Sequence, residues 1–378
     1  MTQSIIKKYR LPELKPGMVV GKDVLSDSGR LLVSPGTVLD EYLIRRLFTL
    51  DIYQVEIIAL EEPDYVSSLL QPPVLDFAQM NQLFAQTDLV QTTEQQEFST
   101  EYNGMLKRLK TCFTDIRLKN ELDLPELLLL TQDVFALSGQ GPDLIQHLHL
   151  TLREDDYLIH HSVDVALLAG FIARAVGDLT LEQERELVLT GLLHDIGKIS
   201  IPLKILNKTG SLTDEEYQVI RSHPSGGYKF LKNLSVLSPS VLYGVLQHHE
   251  RMDGSGYPLH AVGEKIHLFA KIIGLADSYS AMTSIKTYGE THSPFMAADM
   301  LKKDMYAGLF DTAVCNPFIN HLYDALIGSW VLLSDGRKVQ VVFYNEVAKN
   351  KFLLKTEQGE VLNLDAMPHL KITRMTNA

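Results

Sequence analysis

Histidines and aspartates recur at short spacings through the middle of the chain, and such side chains bind divalent metal ions when they converge. The set comprises His161, His194, Asp195, His223, His248, His249 and Asp277. Each lies within or beside an apolar stretch, and burying so many polar groups costs free energy unless a shared partner satisfies them. The ordered set therefore predicts a metal site. Taken singly, each member has a simpler interpretation, as a core histidine, a helix end or a cap.

The size of the set bears on the number of ions. One ion needs three or four of these side chains, whereas two ions that share a carboxylate use all of them. Asp195 has two carboxylate oxygens and is the natural shared ligand. Two ions spaced about 3.5–4 Å apart activate a bridging water for hydrolysis. Without thiolates the set suits iron or manganese, and also cobalt, nickel or zinc, and the residues do not choose among them.

Two further features lie next to the proposed ligands. In the stretch "HHERMDGSGYP" (248–258), the segment Asp253-Gly254-Ser255-Gly256 predicts a sharp turn, because glycine tolerates positive φ. Such a turn would carry Tyr257 and Pro258 back beside the metals, although it could also simply end a helix. Lys198 follows His194 by four residues and is predicted on the same helical face. It could point at a substrate phosphate or remain solvated.

The composition is that of a soluble globular protein. The chain has 378 residues, of which 45% are apolar and 22% charged, and its length predicts two or three domains. The formal net charge of −12 argues against a nonspecific nucleic-acid binder. Cys112 and Cys315 are isolated, which excludes a disulfide framework. The N-terminus lacks a signal-peptide pattern and the apolar stretches are short of a membrane span, so we expect a cytoplasmic protein.

The elements that must position these residues are mostly helical. We predict a mostly α protein: a small N-terminal α/β or β-rich regulatory domain at 1–65, a polar linker at 66–100, a helical catalytic domain at 101–327 with its core at 150–325, and a small C-terminal β module at 328–378. In the first domain, alternating apolar pieces and turns predict short strands, followed from residue 40 by a helix and a strand. In the last, Asp335-Gly336 and Gln358-Gly359 predict turns between strands.

Helix boundaries are indicated by capping residues. Thr180 with Gln183 and Thr213 with Glu216 have capping-box spacing. Two further pairs, Ser293-Pro294 and Asn316-Pro317, place a cap residue before a proline at the first helical position. One buried helical stripe is predicted by apolar spacings of three and four at Val165, Leu168, Ile172 and Val176.

Six separated motifs make the chain resemble the HD-GYP family, a branch of the HD phosphohydrolase superfamily. In chain order they are "HHSVDVALLAG", "GLLHDIGKISIP", "ILNKTGSLTDEEY", "RSHPSGGYKFL", "HHERMDGSGYP" and "IIGLADSYSAMTS", within residues 150–325. The resemblance implies an all-helical HD-type bundle. It also implies hydrolysis of the bacterial second messenger cyclic di-GMP to linear pGpG and possibly GMP. The first domain and the 329–372 module resemble, less specifically, the segments that often flank this type of domain.

The resemblance also assigns roles to residues. It places His161, His194, Asp195 and Asp277 around one ion, and Asp195, His223, His248 and His249 around the other. Asp195 and Lys198 are the implied catalytic residues. The implied substrate contacts are Lys198, Arg251, Gly256, Tyr257, Pro258, Lys286 and Tyr288.

The chain departs from the family pattern in two places. Where the family shows Arg-Pro-Tyr-Arg, this chain has Lys286-Thr287-Tyr288-Gly289. Lysine does not replace the planar, bidentate arginine in phosphate or guanine recognition, so substrate preference is open. Family members that hold a third metal carry a glutamate four residues before the first ligand histidine. Here Tyr157 occupies that position after Asp155-Asp156, which favours two metals.

We therefore expect a cytoplasmic, metal-dependent phosphodiesterase acting on cyclic di-GMP. One alternative is a preference for another cyclic dinucleotide such as cyclic GMP-AMP. Another is a regulatory protein that binds the dinucleotide without hydrolysing it. Expected partners are the cyclic dinucleotide and, through the Gly-Tyr-Pro surface, a diguanylate cyclase or other signalling protein. A homodimer is compatible with the sequence, and neither DNA nor a membrane is expected as a partner.

Overall fold

The structure is a computed structural model. It describes residues 5–10, 14–15, 17–22, 24–25, 31–33, 37–39, 54–59, 91–119, 121–140, 142–150, 157–206, 208, 210, 212–234, 236–284, 292–344, 352–367 and 369–376. The chain divides into two compact units, Met1–Gln86 and Thr87–Ala378.

The first unit contains two antiparallel strand pairs. β1 (Ile5–Arg10) pairs with β4 (Gln54–Ala59), and β2 (Val24–Leu25) pairs with β3 (Leu31–Val33). Within β4 the alternate residues Val55 and Ile57 are buried, as expected for a strand with one face on a core. Small sheets at the N-terminus agree with the predicted fold class. The helix predicted from residue 40 lies outside the described residues.

The second unit is predominantly helical. Its helices are α1 (Gln91–Lys119), α2 (Leu124–Leu137), α3 (Pro142–Leu150), α4 (Tyr157–Val176), α5 (Leu181–Leu193), α6 (Leu203–Leu206), α7 (Asp214–Arg221), α8 (His223–Lys232), α9 (Pro239–Gln247), α10 (Leu268–Thr283), α11 (Pro294–Tyr306) and α12 (Thr312–Leu326). Short 3-10 helices lie at Ser138–Gln140, Ile196–Ser200, Gly263–Lys265 and Leu364–Ala366.

The predicted linker is too long at its C-terminal end, because α1 begins inside it. Residues 91–100, which the sequence predicts as linker, form the first turns of this helix. The buried residues Phe98, Tyr102, Met105 and Leu109 recur at spacings of four, three and four and face the core. The glutamines and glutamates between them are good helix formers, although their polarity resembles that of a linker. Residues 66–90 lie outside the described residues.

The capping predictions are correct at three of four sites. Both Thr180 with Gln183 and Thr213 with Glu216 form complete capping boxes, and Ser293 caps α11. Asn316-Pro317 is wrong as a helix start, because Pro317 lies inside α12. The cap is Asp311 instead, whose side chain accepts a hydrogen bond from the Ala313 backbone N–H at 2.8 Å.

α4 is the central helix of the unit. It is long and apolar enough to cross a membrane, but most of it is buried inside the protein. Fifteen consecutive residues from Ile159 to Ala173 are buried, so the helix contacts neighbours on every side. This is the environment of a core helix in a helical bundle, and it includes the predicted stripe at Val165, Leu168 and Ile172.

The C-terminal strands form one antiparallel sheet with the order β8-β7-β6-β5-β9. These strands are β5 (Trp330–Leu333), β6 (Lys338–Tyr344), β7 (Phe352–Thr356), β8 (Val361–Asn363) and β9 (Ile372–Thr376). The ring of Phe352 packs edge-to-face on Phe295, and buried residues of the sheet belong to the same hydrophobic core as the helices. The sheet is thus packed on the helical bundle as part of the second unit. The predicted boundary that makes residues 328–378 a separate domain stays a prediction.

Candidate metal centre

Six of the seven predicted ligands have side-chain atoms gathered in two groups. His161 lies in α4, His194 and Asp195 follow α5, His223 opens α8, and His248 and His249 follow α9. One group contains His161, His194 and Asp195, and the other contains Asp195, His223, His248 and His249. Within each group the ligand atoms all lie within 4.8 Å of one another. Asp195 belongs to both groups, which is the position expected of a shared ligand.

Three of the histidines are oriented by the same local contact. The Nδ1 atoms of His194, His223 and His248 each lie 2.7–2.8 Å from the backbone carbonyl oxygen three residues earlier. A carbonyl oxygen only accepts hydrogen bonds, so Nδ1 carries the proton in each ring. The Nε2 atom of each ring is therefore the nitrogen that faces the centre and can bind an ion.

These Nε2 atoms converge on the same centre. His223 Nε2 lies 3.2 Å from His248 Nε2, and two unprotonated nitrogens cannot share a hydrogen bond. Among the described residues, His194 Nε2 and Asp195 Oδ1 are buried without a hydrogen-bond partner. His223 Nε2 also lies 3.1 Å from Asp195 Oδ1. Buried acceptors that face one another are satisfied by a cation, so these residues fit a divalent metal ion.

Asp195 is the most enclosed charge of the centre. Its Oδ2 accepts a hydrogen bond from Lys198 Nζ at 2.5 Å and lies 3.4 Å from His194 Nε2. Burial opposes ionisation, but the ammonium of Lys198, together with the contact to His194, outweighs it and holds the pKa of Asp195 well below its ordinary value. The carboxylate is therefore ionised and available as a ligand at neutral pH.

Asp277 lies beside both groups rather than within one of them. Its Oδ1 is 3.0 Å from His161 Nε2 and its Oδ2 is 3.6 Å from His249 Nδ1. Burial raises the pKa of this carboxyl, but His161 outweighs burial and keeps the pKa well below the ordinary value. The other ring nitrogen of His161 lies 3.1 Å from Ser280 Oγ, one turn further along α10. The arrangement joins α4 to α10 directly at the centre.

The adjacent histidines His248 and His249 are both held neutral. Burial lowers the pKa of His248 well below its ordinary value, and the neighbouring histidines lower it further. Burial also lowers the pKa of His249 to about 3. A neutral imidazole is the form that binds a metal, so these two rings are preorganised as ligands.

Gly197 allows the segment after Asp195 to approach α8 closely. A Cβ atom at this residue would lie 2.0 Å from the carbonyl oxygen of His223 and 2.7 Å from the backbone nitrogen of Gly227. A side chain of any size is therefore excluded while the two backbones keep this spacing. The contact places Asp195 and His223 side by side.

Glu250 organises the loop that follows the paired histidines. Its buried carboxylate accepts hydrogen bonds from the backbone N–H groups of Leu259 at 2.6 Å and Ala261 at 3.0 Å. Gly254 adopts the predicted positive φ, at +83°, and the Tyr257-Pro258 peptide is cis. Gly256 lies in the same turn and packs its Cα against the backbone of Glu250 and Arg251, where a Cβ would lie 2.4 Å from Glu250 Cα.

Tyr257 lies directly on the second group of ligands. Its ring stacks on His249 with the centroids 4.6 Å apart and an angle of 28° between the planes. On the same ring lies the guanidinium of Arg221, with Cζ 4.4 Å from the centroid. The structure thus brings Tyr257 next to the centre, as predicted, with Pro258 following it.

Two predicted substrate contacts have other partners. The Arg251 guanidinium donates hydrogen bonds to the carbonyl oxygens of Glu250 at 2.9 Å and His248 at 3.3 Å, and to Ser278 Oγ at 3.3 Å. It therefore braces the loop. Lys198 does not lie on the helix of His194, because α5 ends at Leu193 and a 3-10 helix follows. Its ammonium reaches Asp195 instead. Lys286 and Tyr288 lie outside the described residues.

Three residues of the site were missed by sequence reasoning. Glu250 stands in the quoted motif, but nothing in the letters indicates that it accepts backbone hydrogen bonds nine and eleven residues later. Ser280 follows Asp277 by three residues, a spacing that places both on one face of a helix and would have allowed the prediction. Arg221 precedes His223 by two residues, but its contact with Tyr257 depends on the fold.

Tyr157 occupies the position at which some family members carry a glutamate for a third metal. Its ring stacks on His161 with the centroids 5.3 Å apart and an angle of 9° between the planes. Tyrosine supplies no carboxylate at this position. Asp155 and Asp156 lie outside the described residues.

Comparisons with known proteins agree with this site. Residues 150–314 match the HD domain family. Cyclic di-GMP phosphodiesterase PA4108 of Pseudomonas aeruginosa is 34% identical over 226 residues, or 60% of this chain and 54% of that protein. The 3'3'-cGAMP-specific phosphodiesterase 1 of Vibrio cholerae is 34% identical over 169 residues, or 44% of this chain and 38% of that protein. The chain spans about half the length of the curated relatives it matches.

A solved structure supports the fold. Bd1817, an HDG"Y"P protein from Bdellovibrio bacteriovorus, superposes with a TM-score of 0.50 at 16% identity, covering 85% of this chain and 99% of that chain. This likeness concerns the fold alone. Together with the relatives, the ordered His/Asp motifs and the Gly-Tyr-Pro loop support the assignment of the matched segment, residues 150–314, to an HD domain of the HD-GYP type.

Proposed function

We propose that this protein is a metal-dependent phosphodiesterase that hydrolyses cyclic di-GMP to pGpG or onward to GMP. One observation carries the proposal: two groups of buried ligand atoms share Asp195, and two of these atoms, His194 Nε2 and Asp195 Oδ1, have no hydrogen-bond partner among the described residues. A purely structural histidine cluster would pair its nitrogens with donors and acceptors of the protein. The relatives named as cyclic di-GMP phosphodiesterases support the same activity.

The ligand assignment follows from the two groups. His161, His194 and Asp195, with Asp277 beside them, would hold one ion. Asp195, His223, His248 and His249 would hold the other. Bound divalent ions supply an activated water and neutralise the charge that develops on phosphorus. The histidine and carboxylate donors favour iron or manganese, and cobalt, nickel and zinc are compatible with the same donors.

The protein's own groups would act around that centre. Lys198 keeps Asp195 ionised and carries its ammonium on the edge of the centre, with its side chain 19% exposed. It is the candidate to contact a phosphate oxygen, and we propose Asp195 and Lys198 as the catalytic residues. Tyr257 covers His249 and would limit access of water to the second group. Gly256 and Pro258 hold this ring in place, and Arg251 braces the loop behind it.

A second substrate is favoured by two observations. A relative of 34% identity is named as specific for 3'3'-cGAMP. Lys286 also stands where the family shows arginine. Cyclic GMP-AMP is therefore the second candidate substrate, and a comparison of initial rates on the two dinucleotides would separate them.

The proposal is tested with purified full-length protein loaded anaerobically with Fe(II) or Mn(II). Chromatography should detect pGpG from cyclic di-GMP, and metal analysis should find two equivalents. Asp195→Asn should abolish turnover, whereas the exposed aspartate in the Asp178→Asn control should leave turnover unchanged. No turnover with any metal, while an active HD-GYP enzyme works in the same assay, would refute the activity. Binding of cyclic di-GMP without hydrolysis would support the regulatory alternative.

We also propose a cytoplasmic location, because the proposed substrate is an intracellular messenger, and cell fractionation tests it. A diguanylate cyclase or other signalling protein is the proposed partner at the Gly-Tyr-Pro loop. Co-purification with wild-type protein but not with a Tyr257→Ala variant would support that contact.

A further inference from the structure

Arg221 occupies the rim of the metal centre and is held there by aromatic rings. It is the last residue of α7, and its Cζ lies 4.4 Å from the ring centroid of Tyr257. The ring of Tyr217, one helical turn earlier, lies 5.8 Å from the same atom. Arg221 is half-buried, whereas Tyr217 is 49% exposed. The guanidinium plane is thus supported by rings while its N–H groups remain at the surface.

The guanidinium has no acceptor of its own. Within the described ranges of the chain, Arg221 makes ring contacts but forms neither a hydrogen bond nor an ion pair. An arginine carries five N–H donors in a planar fork. Other arginines of the same unit use theirs, as when Arg108 pairs with Glu126 at 2.5 Å. The donors of Arg221 are therefore presented to solvent or to a ligand.

The position relative to the ligands limits what Arg221 can contact. The ring of Tyr257 contacts both the guanidinium of Arg221 and the ring of His249, so Arg221 reaches the ligand groups through this ring. We therefore expect Arg221 to meet a part of the substrate other than the phosphate at the ligand groups.

We infer that Arg221 recognises a guanine base of the substrate. The inference rests on the proposed function, because it takes a cyclic dinucleotide to be the ligand. Arginine forms a bidentate pair with the O6 and N7 acceptors of guanine, whereas adenine presents a donor at N6. The exposed ring of Tyr217 gives a planar base a surface for stacking, which a phosphate group would not use. Arg221 also offers the planar fork that Lys286 lacks.

The test measures binding rather than turnover. Hydrolysis-resistant phosphorothioate analogues of cyclic di-GMP and cyclic di-AMP are titrated calorimetrically into metal-loaded wild-type protein and the Arg221→Lys variant. The variant keeps the charge but loses the fork, so its Kd for the guanine analogue should rise by about 5- to 150-fold, the range expected for one bidentate pair. Its Kd for the adenine analogue should stay unchanged. An equal loss for both analogues, which a phosphate contact would produce, overturns the inference, as does an unchanged ratio.

Two controls separate the inference from other effects. Arg185 also lies over an aromatic ring, with Cζ 5.5 Å from the centroid of Phe135, so Arg185→Lys tests a matched arginine and should leave both Kd values unchanged. Circular dichroism and metal content equal to wild type show that Arg221→Lys is folded, and Arg221→Gln should shift the ratio in the same direction.

The outcomes also distinguish this inference from the proposed activity. If the wild-type protein binds the guanine analogue through Arg221 but does not hydrolyse cyclic di-GMP, the activity is refuted and the inference stands. If the wild-type protein hydrolyses cyclic di-GMP and Arg221→Lys leaves the Kd ratio unchanged, the inference is refuted and the activity stands.

Discussion

Replacing Gly197 with alanine tests whether the close approach of the 3-10 helix to α8 positions the second group of ligands. The new Cβ would lie 2.0 Å from the His223 carbonyl oxygen, whereas ordinary contacts begin at 3.4 Å. The two backbones would have to separate by about 1.4 Å, the difference between these distances. The obstacles are backbone atoms, which cannot rotate away as a side chain can.

The magnitude follows from this geometry. Forcing an extra methyl group into a packed interior costs about 1–3 kcal/mol, and a clash between two backbones places Gly197→Ala near the upper value. The separation also moves His223 away from Asp195. Metal–ligand distances tolerate only about 0.2 Å of error, so the second group should lose its ion.

The assay compares this variant with Gly226→Ala in α8. A Cβ at Gly226 meets no atom within 4 Å, and alanine is favoured over glycine in a helix by up to about 1 kcal/mol. Urea denaturation followed by circular dichroism should show a less stable Gly197→Ala and an equally or more stable Gly226→Ala. Metal analysis should show depletion only in the former. A Gly197→Ala protein with wild-type stability and metal content would refute the reasoning.

Three further predictions concern single side chains. Asp195→Ala removes the carboxylate shared by both groups, so metal analysis should show weaker binding of both ions and the hydrolysis assay should show no turnover. Loss of only one metal equivalent with retained activity would contradict the shared role. His249→Ala, and equally His248→Ala, affects the second group alone and should give a folded, inactive protein depleted by about one metal equivalent; full activity with unchanged metal would exclude that residue as a ligand. Glu250→Gln replaces an acceptor of two backbone N–H groups by a side chain with one acceptor, so the free energy of unfolding in urea should fall by about 1.5–3 kcal/mol. Glu264→Gln, at a side chain that is 93% exposed, should change it by less than about 0.5 kcal/mol, and equal effects of the two substitutions would count against the bracing role.

The helical fold was predictable from the sequence because its signals are local. The capping boxes at Thr180 and Thr213 depend only on residues three positions apart, and both form as predicted. Pro317 was misassigned because a proline at a helix start and a proline inside a helix look alike in sequence. The helix begins earlier because the side chain of Asp311 caps it, which leaves Pro317 inside the helix.

The site was predictable in its composition but less so in its contacts. The convergence of His161, Asp195 and His248 could be expected from their number and their apolar surroundings. The partners of Arg251 and Arg221 could not be predicted, because they depend on which segments far apart in the sequence meet in the fold. A long, charged side chain reaches several neighbours, and the backbone decides which of them lies within range.

The large hydrophobic core of the second unit determines where this chain can be cut. The core includes Phe98 of α1 and Met375 of β9, both far outside the 150–314 segment that defines the family in sequence. Removing α1 would take away buried apolar side chains such as Leu109, each of which contributes about 1.5–3 kcal/mol when fully buried, and would uncover the core residues packed against them. A recombinant fragment limited to residues 150–314 would therefore expose hydrophobic surface and aggregate. The smallest independently folding fragment should begin before Gln91 and extend through β9. The segment that folds cooperatively is therefore longer than the family segment 150–314.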